Sequence, residues 1–114
     1  MEERTVLLLR CGERYAVRKR EGKGLLAGLW EFPSIPDALD ETGAREAVRE
    51  LGGEALSVEP CGEARHVFTH VEWRMRGWRV ELETELPGLL WKTPAEIRVD
   101  CPSPTALRYY QKKL

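Results

Sequence analysis

Arg65–Leu82, RHVFTHVEWRMRGWRVEL, is the stretch on which the reading of this 114-residue chain turns. Val67, Val71, Trp73 and Met75 are apolar, and His66, His70, Glu72, Arg74 and Arg76 are polar, the period-two pattern of a strand with one buried face. Phe68 and Thr69 break it, the ring falling on the polar face and the hydroxyl on the apolar one. A backbone that leaves ideal pleating, or an aromatic ring turned to solvent, would account for this, and either suggests a binding feature. After Gly77 the parity inverts: Trp78, Val80 and Leu82 are apolar, Arg79, Glu81 and Glu83 polar. The first reading is one long strand with a β-bulge at Gly77 that restores a single buried face. A hairpin turning at Arg76-Gly77 ranks second, because the bulge needs no chain reversal.

On the N-terminal side, Thr5 to Arg10 is an aliphatic run and Tyr15 to Lys19 a weaker alternation, joined by Cys11-Gly12-Glu13-Arg14, so the chain is expected to begin as a β-meander. Gly22-Lys23-Gly24 punctuates a loop before LLAGLWEFP at Leu25 to Pro33, where Gly28 would admit a close approach. Ser34 to Asp40 reads as irregular. Glu41 to Leu51 is the clearest helix: Ala44, Ala47, Val48 and Leu51 share a face and Gly52-Gly53 ends it. Ala55 to Val58 reads as a short strand, Pro60-Cys61-Gly62 as a turn. Thr93-Pro94-Ala95-Glu96 is a capping box with proline at the first helical position. From Ser103-Pro104 a last helix would place Leu107, Tyr110 and Leu114 together. Strands with two longer helices make an α+β domain, the helices packed on a mixed or antiparallel sheet.

Length and composition narrow the classes. The chain is expected to be one domain, 1–114, with an ordinary globular balance of 42% hydrophobic and 32% charged residues. Its longest aliphatic run, Val6 to Leu9, cannot span a bilayer, and no signal-peptide core precedes it, so a cytoplasmic location is expected. Cys11, Cys61 and Cys101 are far apart with no CxxC, which argues against a disulfide framework, a zinc site or an iron–sulfur cluster. A net charge of −1 sits poorly with nucleic-acid binding. Yet Arg14, Arg18, Lys19, Arg20 and Lys23 cluster, as do Arg65, Arg74, Arg76 and Arg79. A basic face and a solvated mixed surface explain this equally well.

Three segments together resemble one family: KGLLAGLWEFP at Lys23 to Pro33, ARHVFTHVEW at Ala64 to Trp73, and WKTPAEI with CPSPTALRYY from Trp91 to Tyr110. They are similar to the C-terminal, Nudix-like domain of the MutY adenine DNA glycosylases, which recognises 8-oxoguanine mispaired with adenine. The resemblance implies a Nudix-like fold and a chain that is a domain of a larger glycosylase. It implies that Phe68, Thr69 and His70 match the phenylalanine, serine and histidine of the family's lesion-reading loop, threonine keeping the hydroxyl and adding a methyl. Arg18, Lys19, Arg20, Lys23 and Arg65 become candidate DNA-backbone contacts. The partners implied are duplex DNA bearing 8-oxoguanine opposite adenine and the N-terminal catalytic domain, which can carry an iron–sulfur cluster; no cofactor and no membrane are expected for this domain, and it is expected to be a monomer at the nucleoid.

The Nudix signature is matched only in part, at Arg45-Glu46 and Glu50-Leu51-Gly52. Arg49 replaces the first of the paired glutamates, Ser34-Ile35 stand where Gly-Gly follows the proline, and Gly53 takes the last aliphatic place. Pyrophosphate cleavage needs several carboxylates around hard cations, so Glu46 and Glu50 read better as a solvated helix face than as metal ligands. Two other classes stay open: a free-standing Nudix hydrolase of oxidised nucleoside triphosphates, and a protein-interaction module using exposed aromatics. Taken singly, Phe68 reads as a core aromatic, and Thr69 and His70 as ordinary strand residues. Trp30, Trp73, Trp78 and Trp91 are assigned to the core.

Overall fold

Thr5–Leu9 is fully buried at every position, as expected of a strand covered on both faces rather than one. In the computed structural model, which describes residues 2–19, 30–67, 72–100 and 110, this segment lies in β1 (Glu2–Cys11). Gly12, at φ 62°, turns the chain into β2 (Arg14–Lys19), which pairs back antiparallel. Then come β3 (Trp30–Glu31), β4 (Ser34–Ile35), α1 (Glu41–Glu50), β5 (Ala55–Val67), β6 (Glu72–Leu82), β7 (Leu90–Lys92) and α2 (Pro94–Asp100). The sheet runs β3-β2-β1-β6-β5, with β4 beside β1 and β7 beside β2. It is mixed, because β1 and β6 are parallel, from Glu2↔Trp73 to Arg10↔Glu81. The expected α+β arrangement, helices on a mixed sheet, is what forms.

Two cores sit on the two faces of this sheet. Val6 and Leu8 join Trp73, Met75, Ile97 of α2 and Tyr110 on one face; Leu7 and Leu9 join Val80, Leu82 and the Ala44, Ala47, Val48 stripe of α1 on the other. This explains the parity inversion, and it corrects the bulge expected at Gly77. The register with β1 is continuous through that residue. Trp73 and Met75 face the α2 side while Trp78, Val80 and Leu82 face the α1 side, so an unbroken strand buries first one face and then the other. The irregularity lies in the partner strand: Pro60 pairs with Trp78 and Glu63 with Arg76, leaving Cys61-Gly62 opposite the single Gly77. Pro60-Cys61-Gly62 is therefore a bulge inside β5, with Gly62 at φ 104°, and not the expected turn.

The single long strand is also two. β5 and β6 are antiparallel, and Val67 pairs with Glu72, so the chain reverses between those two residues and not at Arg76-Gly77. Ser34–Ile35, expected to be irregular, pairs with β1 through Thr5↔Ile35. Just beyond it, the buried Thr5 hydroxyl donates to the Asp37 carbonyl at 2.6 Å and accepts from the Leu39 amide at 2.9 Å. That pins the approach to α1, whose N-cap is Asp40, accepting from the Gly43 amide at 2.7 Å. Leu51, read as the last member of the buried stripe, caps the helix instead and is 39% exposed. Gly28 and the expected last helix, apart from buried, helical Tyr110, lie outside the described residues.

The capping box at α2 forms as read. Thr93 N donates to Glu96 Oε1 at 3.0 Å, and Glu96 N donates to Thr93 Oγ1 at 3.3 Å. The Thr93 amide, and after it the Thr93 hydroxyl, which also donates to Glu96 Oε1 at 3.1 Å, hold the exposed Glu96 carboxyl below its ordinary value of 4.5. A depressed carboxyl pKa contributes stability that is present above the unfolded value and lost as pH falls through the folded one. Glu96→Gln, which keeps a capping oxygen without the charge, is expected to flatten the acid limb of stability below about pH 4.5. Thermal midpoints taken from neutral pH to about pH 3 check this; parallel curves for the two proteins would count against it.

Candidate nucleic-acid interface

The β5–β6 hairpin runs past α1. Across β1, β6 and β5, Leu7, Trp78 and Pro60 share a row, then Thr5, Arg76 and Glu63, then Glu3, Arg74 and Arg65. The apolar cover of α1 stops at the first of these rows, where the Trp78 indole donates to the Leu39 carbonyl at 3.0 Å. Beyond it, the same sheet face carries the exposed arginines 65, 74 and 76 and borders an open groove of about 380 Å³ that Glu3, Arg4, Ala38 and Glu63 also line. Among the described residues no helix covers these arginines, α1 being shorter than the strands it packs on.

Charge on this face is imperfectly matched. Arg65 and Arg74 stand directly opposite each other, a like-charge pairing that costs stability in an antiparallel ladder. Both lean on one carboxylate, Glu72, at 3.9 and 3.8 Å, well beyond the roughly 2.7–2.9 Å of a charge-assisted hydrogen bond. Arg76 meets Glu63 at 3.4 Å. On the opposite face, Trp73 donates its indole N–H to Glu2 at 2.8 Å, and the Arg4 guanidinium lies over its ring at 4.4 Å. These contacts tie the start of β1 to the hairpin, and Arg4 Nε is buried with no hydrogen-bond partner among the described residues.

The residues singled out from sequence distribute unevenly. Phe68, Thr69 and His70 lie outside the described residues, as do Arg20 and Lys23; the triad sits between the paired ends Val67 and Glu72. The side chain of Lys19 is likewise not described. Arg18 is held by the 4% exposed Glu31 carboxylate at 3.4 Å and by the Ser34 carbonyl at 3.5 Å. Arg65 is 65% exposed beside the groove. Glu46 and Glu50 are exposed on α1, and no group of three His, Cys, Asp or Glu able to hold a metal occurs among the described residues. Of the four tryptophans, Trp73 is buried and Trp30, Trp78 and Trp91 are half-buried against the two cores. Arg4, Arg74 and Arg76 are not among the sequence-predicted contacts; the Arg74/Arg76 alternation is the signal in the sequence for two of them.

A mixed sheet between two helical layers is the architecture at hand, and a model of the NUDIX domain matches residues 5–113. The chain belongs to the NUDIX domain family. Within that family, adenine DNA glycosylase of Rattus norvegicus is 36% identical over 94 residues, covering 70% of this chain and 18% of that protein. The NUDIX domain described here thus spans less than a fifth of the length of the curated relative it matches. The C-terminal domain of mouse MUTYH, solved in complex with human PCNA, superposes with a TM-score of 0.75 at 22% identity, over 99% of this chain and 88% of that one. A MutT NUDIX hydrolase from Burkholderia pseudomallei gives 0.77 at 16% identity, over 99% and 97%. At such identities the two structures speak for the fold alone.

Proposed function

We propose that this NUDIX domain is the lesion-reading module of an adenine DNA glycosylase, recognising 8-oxoguanine opposite adenine while base excision is carried out elsewhere in the enzyme. The observation that carries the reading is the antiparallel pairing of Val67 with Glu72, the residues that flank Phe68-Thr69-His70-Val71 in the sequence, in a chain whose curated relatives are adenine DNA glycosylases. Guanine offers N7 and O6 as acceptors in the major groove; oxidation at C8 puts a hydrogen on N7, and the reader must supply an acceptor there. The Thr69 hydroxyl is such an acceptor. Because a hydroxyl also donates, discrimination requires Phe68 and His70 to fix its position, Phe68 by wedging against a base step.

Alone, the domain binds DNA weakly, with a log–log salt slope corresponding to about one to three ions. Fluorescence titration compares duplexes carrying 8-oxoguanine or guanine opposite adenine. The oxidised duplex is expected to bind better, and Phe68→Ala to lose about tenfold in affinity for it, since a stacked ring contributes roughly 1–3 kcal/mol. Identical binding of both duplexes, unchanged in the variant, would overturn the proposal. Hydrolysis of an oxidised nucleoside triphosphate is the competing activity for this fold. The exposed Glu46 and Glu50, with Arg49 between them, favour recognition over cleavage; magnesium-dependent pyrophosphate release abolished by Glu46→Gln would reverse that choice.

A further inference from the structure

We propose that Arg65, Arg74 and Arg76 form a phosphate-binding ladder that grips the backbone of the DNA strand beside the hairpin tip. The inference rests on the lesion-reading proposal and assigns the backbone grip to a different surface from the Arg18 cluster. Arg18, though 44% exposed, leans on the buried Glu31 carboxylate at 3.4 Å and the Ser34 carbonyl at 3.5 Å, so turning to a phosphate would weaken its contact with a buried charge.

The ladder differs in each respect. Arg65 and Arg74 are opposed like charges sharing one distant carboxylate, an arrangement that an added anion relieves. The Arg76–Glu63 pair is exposed on both sides, at 44% and 73%, and exposed pairs exchange partners at little cost. The planar guanidinium fork suits phosphate oxygens better than an ammonium would. Position completes the argument. Arg74 lies about 7 Å and Arg76 about 13 Å along β6 from Glu72, where the hairpin reversal ends. A strand whose base meets the tip would carry its neighbouring phosphates down this face. Among the described residues no helix lies over these rows beyond Trp78.

Arg74→Gln/Arg76→Gln and Arg65→Gln separate this proposal from the one beneath it. Affinity is measured by fluorescence titration over a series of salt concentrations, using 8-oxoguanine:adenine and guanine:adenine duplexes, with thermal midpoints as a folding check. The double variant is expected to lose affinity for both duplexes by the same factor, about tenfold or more at low salt. Its log–log salt slope should fall by about one for each contact removed, while the ratio between the two duplexes stays that of the wild type. Phe68→Ala should do the reverse, changing the ratio and keeping the slope. Unchanged affinity and slope in a wild-type-like lesion reader would remove the ladder and leave the module. A changed ratio with an unchanged slope would also overturn it, placing these arginines at the base. A wild-type domain that binds neither duplex would sink both.

Discussion

Gly77→Val is expected to be the most damaging single substitution in β6. A Cβ at this position would lie 2.3 Å from Tyr110 Cε1 and 2.7 Å from Cys61 Sγ, closer than any real contact, and valine adds two methyls beyond it. The ring cannot simply swing aside, because the Tyr110 hydroxyl is anchored on the Gly62 carbonyl at 3.0 Å, at the β5 bulge. Overpacking of this kind costs about 3 kcal/mol or more. For a domain of this size that is a fall in thermal midpoint of roughly 10–20 °C. Tyr110→Ala alone should also be costly, by about 3–5 kcal/mol, since it empties the space the ring fills. The two changes should not add: in the Tyr110→Ala background Gly77→Val has room, and a coupling of about 1–3 kcal/mol is expected from a double-mutant cycle. Full additivity would show that the contact between the C-terminal segment and the hairpin does not matter to stability.

Away from that contact, Thr5→Val is the next expected loss, from a residue that the sequence shows only as the first member of an aliphatic run. Valine matches the shape of threonine and fits the buried site, so packing is preserved and only the hydroxyl is lost. Its loss leaves the Asp37 carbonyl and the Leu39 amide without the partner that both now use. An unpaired buried polar group costs about 1–3 kcal/mol, and these two bonds are part-buried, so the variant should lose roughly 1–2 kcal/mol. Urea unfolding should show a lower midpoint with an unchanged slope, and the Leu39 amide should exchange its hydrogen faster. A loss under about 0.5 kcal/mol would mean that the segment leading to α1 does not depend on this anchor.

What could be read from the sequence was local. The Ala44, Ala47, Val48 stripe lies within one helix, the Thr93/Glu96 box within one turn, and the Gly12 hairpin within a four-residue connection, so each carried its full cause in adjacent residues. The misreadings share the opposite property. Alternation in β6 reads as one buried face, but the sheet is covered on both sides, and the strand packs its first apolar residues against one layer and its last against the other. The parity change points to a bulge in β6, although the extra residue sits in its partner β5. Gly77 looked like a bulge residue because nothing near it in sequence reveals that a tyrosine 33 positions later lies against its backbone.

The candidate site divides along the same line. Residue types and order alone singled out Phe68, Thr69 and His70 and the basic clusters, because alternation and family likeness are properties of the string. Which arginines are engaged by the fold and which are left facing solvent was not in the string at all. That was decided by strand register, which sets Arg65 against Arg74, and by the length of α1, which ends its cover one row before Arg76. Sequence therefore determined the elements and the chemistry they carry, since those follow from neighbouring residues. Tertiary structure alone decided which faces are buried and which charges are exposed, since burial and pairing depend on residues distant along the chain.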